Sequence, residues 1–174
     1  MRNVLQFIAF QAVWFAAVLG AARGEMSWGP AAVLGMFLLH LRWARGDRLG
    51  ETLYVLLWGV AGTLLDSLIH GLGLTLFPTS SWSPSWLAPP WIASLWFAFA
   101  MLPRFSLSWL RPHTRWAVIL GAVGGPLSFQ AGARLQATAP GAEPLWTWLV
   151  LGLEYALIVP LMLRTARQEP AEGP

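Results

Sequence analysis

The chain has 174 residues, of which 56% are hydrophobic and only 11% charged, and its mean hydropathy is +0.56. Soluble domains carry about 25% charged residues, so a water-soluble fold is excluded and an integral membrane protein is implied. The chain has no Cys, which removes disulfides, thiolate nucleophiles and Cys metal ligands.

Six apolar stretches approach the length of about 20 residues that a bilayer span requires: 4–22, 28–44, 52–77, 91–110, 116–135 and 145–163. None alternates as a barrel strand would, so helices are the way to satisfy the backbone in lipid. The expected fold is all-α, a polytopic bundle of about six transmembrane helices, forming one domain over 1–167 with a polar tail at 168–174. The first run competes with a signal peptide, having Arg2 in front and Gly20-Ala21-Ala22 behind. Its apolar core is too long for that reading, and Gln11 interrupts it. The third run has a point to tilt or break at Gly71–Gly73, and the fourth a point to kink or stop at Pro103-Arg104.

All eleven basic residues are Arg. A basic soluble protein would suggest nucleic acid, but these arginines fill short gaps between apolar runs, so no nucleic-acid partner is expected. Arg2, Arg42, Arg45, Arg48, Arg111, Arg115, Arg164 and Arg167 fall on one side and Arg23 and Arg134 on the other. Arg104 is expected to snorkel to the richer side. The positive-inside rule then puts both termini in the cytoplasm. Trp82, Trp86 and Trp91, in and beside an uncharged loop, suit an external aromatic belt.

Ionisable groups inside a membrane are functional hypotheses by default. Asp66 and His70, four residues apart, share a helix face with Gly59, Gly62 and Gly73 close by. Gln130 and Arg134 repeat that spacing beyond a small-residue stripe of Gly121, Gly125, Ser128 and Gly132. Ala12, Ala16 and Gly20 lead to Arg23, and Glu154 lies mid-span beside Tyr155. At 1.5 Å per residue, Asp66 is about 22 Å from the inner start of its helix, His70 about 6 Å further out and Glu154 about 14 Å deep from outside. Gln11 alone sits nearer the middle. Asp66, His70, Arg134 and Glu154 are therefore expected in one polar cavity in the outer half of the bilayer, with Arg23, Gln11 and Gln130 as further candidates. The plainer reading is an ion pair between Asp66 or Glu154 and Arg134 or Arg23, holding helices together.

Other chemistries fall short. His40 and His113 face one side and His70 the other, so no His cluster forms. Asp66 and His70 supply two metal ligands where a catalytic zinc takes three. Ser67 points about 100° around the helix from Asp66. Neither a metal nor a cofactor is expected.

Phe10-Gln11-xx-Trp14, Val18-Leu19-Gly20-Ala21, Gly62-xxx-Asp66-Ser67, Gly124-Gly125-Pro126-Leu127-Ser128 and Ala131-Gly132-Ala133-Arg134-Leu135 resemble a bacterial inner-membrane family, number 2878 of the domain-of-unknown-function series. The similarity extends through Leu95-Trp96-Phe97-Ala98 and Ser106-Leu107-Ser108-Trp109-Leu110. The resemblance implies a small multi-pass inner-membrane protein with no assigned activity, and an association with gene clusters for fatty-acid modification and for light or oxidative stress. The leading expectation is a protein that binds or handles a lipid or fatty-acyl amphiphile, with Arg23 or Arg134 holding an anionic head and Asp66 with His70 exchanging protons. Its rivals are a non-catalytic assembly subunit and a proton-coupled small-solute transporter.

Overall fold

The computed structural model describes residues 1–44, 46–78 and 84–166. Trp82, Arg45, Arg167 and the tail 168–174 lie outside the described residues. Among the described residues are six α-helices: α1 (Arg2–Ala22), α2 (Trp28–Trp43), α3 (Arg48–Gly71), α4 (Pro90–Ala100), α5 (Thr114–Arg134) and α6 (Pro144–Thr165). Four of them, α1, α3, α5 and α6, are long and apolar enough to cross a membrane. The 21 residues of α1 extend about 32 Å at 1.5 Å per residue, matching a hydrocarbon core of about 30 Å.

Burial is inverted relative to a soluble bundle. Leu34, Leu38, Leu53, Leu57, Leu64, Leu127, Leu153 and Leu157 are exposed, whereas His40, Glu51, Asp66, Arg104 and Glu154 are buried. An apolar exterior of this extent is far beyond the patches soluble monomers leave open. It suits lipid as the outer solvent.

The expected helix ends shift at two places. The third run ends as helix at Gly71, because Gly73 takes a positive φ of 73° and the chain turns into β1 (Thr75–Leu76). That strand pairs antiparallel with β2 (Ala139–Pro140). Thr147 Oγ1 donates to the Leu74 carbonyl at 2.5 Å, so the clip ties the far ends of α3 and α5 to the start of α6. The fourth run keeps helical form for 11 residues only. Pro103 has no N–H to continue the ladder, and two 3-10 turns (Leu102–Arg104 and Ser108–Leu110) follow.

Short α4 forms the centre of the bundle. Trp91, Trp96, Ala98 and Ala100 are almost fully buried, and α4 packs against α1, α2 and α3. Glycines set the approach distances. A Cβ at Gly59 would collide with the Phe97 ring and one at Gly62 with the Trp96 indole. In the α5–α6 pair, Gly121 lies against the Tyr155 backbone and Gly125 against the Tyr155 ring. Small residues that let helices close up in this way are the usual packing device where lipid supplies no hydrophobic drive.

Candidate functional site

The glycines of α3 and α5 seat two aromatic side chains around Asp66. With no side chain at Gly62, one turn before Asp66, the Trp96 indole lies flat on α3 and its Nε1–H donates to Asp66 Oδ2 at 2.6 Å. Gly125 receives the Tyr155 ring, which stacks on Trp96 with centroids 5.1 Å apart and planes at 21°. Around this stack is a cavity of about 50 Å³, lined by Asp66 and by the rings of Trp14, Phe77, Trp91, Trp96, Phe129 and Tyr155. Asp66 is buried and has Trp96 as its hydrogen-bond partner among the described residues.

One wall of this chamber is the seam between α1 and α5. Trp14 Nε1–H donates to Ser128 Oγ across it at 2.9 Å, and the two helices otherwise barely touch. Ser128 is exposed and Trp14 half-buried, so the seam faces the surrounding lipid side of the bundle.

Glu154, beside Tyr155 on α6, is buried, and neither carboxyl oxygen has a hydrogen-bond partner. It lies within electrostatic reach of Asp66, as does His70. His70 Nδ1–H donates to the Thr75 carbonyl at 2.6 Å; a carbonyl only accepts, so the proton is fixed on Nδ1. Its ring packs 4.7 Å from Phe77 and lines a second cavity of about 350 Å³ that shares Phe77 as a wall.

The remaining predicted residues lie elsewhere. Arg23 caps α1 in the open, with its guanidinium 5.5 Å from the Trp28 ring. Arg134 is exposed at the end of α5, Gln11 is exposed on α1, and Gln130 is half-buried on α5. Asp66 and Glu154 are thus brought together with His70 close by, while both arginines and both glutamines stay outside the chamber.

A second polar cluster, missed from sequence, fills the opposite end of the bundle. Gln6 Nε2–H donates to His40 Nδ1 at 3.0 Å and to the Met101 carbonyl at 2.8 Å. His40 Nε2–H donates to Glu51 Oε1 at 2.8 Å, and Arg104 Nη1–H donates to Glu51 Oε2 at 2.6 Å. Ser106 N–H donates to Gln6 Oε1 at 3.0 Å. Arg104 therefore does not snorkel to the interface as expected. It turns inward because Glu51, 1% exposed, offers a carboxylate that lipid headgroups would have to replace. Nearby on the same end, burial holds the Arg111 guanidinium below its ordinary pKa.

This cluster joins α1, α2, α3 and the turn after α4, and nearly every polar atom in it is matched. Only Arg104 Nε lacks a partner. Sequence gave little warning of it, since the members are up to 100 residues apart. The available signal was Glu51, an acidic residue one position before an apolar run.

Fold and site together define a helical protein with four helices able to cross a membrane and carboxyl groups buried among aromatic rings at its centre. The chain belongs to the family described as Protein of unknown function (DUF2878), which it matches over residues 3–161. No curated protein and no solved structure matches it.

Proposed function

We propose that this is a bacterial inner-membrane protein with both termini in the cytoplasm, and that it binds a membrane amphiphile with the head in the Asp66 chamber and the tail leaving through the α1–α5 seam. The observation that carries the reading is the chamber itself. A carboxylate ringed by six aromatic side chains is a recognition surface with little use in packing alone. Its position beside a seam held by one side-chain hydrogen bond gives a lipid-soluble ligand a lateral path.

The orientation rests on arginine, which crowds the end carrying the Glu51 cluster while Arg23 and Arg134 alone occupy the other. On this reading α2 and α4 also pass through the membrane, α4 completing its crossing in the turns that follow it. An acyl chain has a further resting place in an apolar groove of about 520 Å³ between α2, α3 and α4, lined by Val33, Phe37, Leu56, Phe97 and Met101 among others.

The test is mass spectrometry of lipids that co-purify with the full chain. Wild type should retain an amphiphile class that Asp66→Asn loses while eluting and melting as a folded protein. Identical lipid profiles for both proteins would oppose binding and favour an assembly subunit.

A further inference from the structure

Resting on the amphiphile reading, the geometry points to the chemical class of the head: a small organic cation, a primary or quaternary ammonium, held against Asp66 by aromatic faces. The ionisable groups around the chamber are two carboxyls and the His70 imidazole, whose Nδ1 proton is given to the Thr75 carbonyl. Asp66 lines the chamber, and Glu154, next to Tyr155 in the chain, is 5% exposed with both oxygens unpartnered among the described residues. No arginine lines the cavity, and Arg23 and Arg134 are exposed at helix ends. An anionic head would meet the Asp66 carboxyl with no arginine to pair with, whereas a cation would supply a counter-charge to Asp66 and, within electrostatic reach, to Glu154.

The walls agree with the charge. Aromatic faces attract cations through the ring quadrupole, and cages of several rings are the usual receptor for quaternary ammonium groups. Two of the donors in the wall are already committed, the Trp96 indole N–H to Asp66 and the Trp14 indole N–H to Ser128.

Size narrows the class further. A water needs about 10–15 Å³ of such space, so a cavity of about 50 Å³ holds roughly three to five groups of that size. An ammonium with its substituents fits. A sugar does not.

The experiment measures equilibrium binding to the full chain in nanodiscs by tryptophan fluorescence, using dodecyltrimethylammonium, dodecanol, dodecanoate and tetramethylammonium as probes. Dodecyltrimethylammonium should bind about tenfold or more tightly than dodecanoate, with dodecanol between them. Asp66→Asn should remove that preference, bringing dodecyltrimethylammonium and dodecanol to similar affinities. Should that variant not fold, Phe129→Leu serves instead, with ammonium affinity falling roughly two- to fivefold for one lost ring face. Equal binding of the three long-chain probes, or tighter dodecanoate, would overturn the cationic head and leave the amphiphile reading standing. Tetramethylammonium binding as tightly as the long-chain ammonium would keep the cation and overturn the tail. If no probe binds, both readings fall.

Discussion

Replacing Arg104 by Ala removes one half of an ion pair whose side chains are 4% and 1% exposed. Glu51 would keep its contact with His40 but lose the only full positive charge in direct contact with it among the described residues. Removing one partner of a buried pair leaves an uncompensated charge and destabilises by about 3–5 kcal/mol. For a chain of this size, 1 kcal/mol moves Tm by about 2–4 °C, so the expected drop is roughly 6–20 °C. Thermal unfolding of purified protein in mild detergent, followed by circular dichroism, measures it. Arg115→Ala is the control, because Arg115 is exposed at the start of α5 and such changes stay within about 0.5 kcal/mol. The double variant Glu51→Gln with Arg104→Met should recover part of the loss, since it leaves no orphaned charge. A melting point for Arg104→Ala equal to that of Arg115→Ala would refute the account of this cluster as the structural lock of the bundle.

Adjacent glycines should answer in opposite directions. Gly124→Ala, with nothing within 4 Å, should gain about 0.5–1 kcal/mol from backbone entropy, while Gly125→Ala, whose Cβ meets the Tyr155 ring, should lose about 1–3 kcal/mol by overpacking; melting curves of the same sign would contradict the packing. Tyr54→Phe removes the hydrogen bond from its hydroxyl to the Met162 carbonyl and should cost about 0.5–1.5 kcal/mol in the same assay. Reporter fusions after Gly46 and after Thr114 should read cytoplasmic and one after Trp86 external, and the reverse pattern would overturn the orientation.

Helix positions were legible because membrane spans are written locally, as length and apolarity. The breaks at Gly71–Gly73 and Pro103 were also local, being properties of single residues with restricted or special backbone. What sequence could not provide was the third dimension. Depth arithmetic along one helix puts Asp66, Arg134 and Glu154 at comparable levels, yet two residues at one depth can be on opposite sides of a bundle. Asp66 meets the Trp96–Tyr155 stack through the Trp96 N–H and Glu154 is buried, whereas Arg134 is exposed. Nor did sequence reveal that α4 is the most central helix, or that it ends at Ala100, ahead of Pro103. Its apolar run continues past Ala100 as 3-10 turns, and hydropathy does not distinguish these.

The two buried polar clusters differ in a way that separates architecture from function. At the arginine-rich end, Glu51 uses both oxygens, on His40 and Arg104, and His40 uses both ring nitrogens. Satisfaction of that degree is what a structural network requires. Asp66 has the Trp96 N–H alone, and Glu154 has nothing. A bundle selected only for packing could place Leu at position 154 and be rid of an unpartnered buried carboxyl, which is costly in any low-dielectric interior. Polar groups retained against that cost, on the chamber side and not on the other, are what the proposed ligand of the chamber would account for.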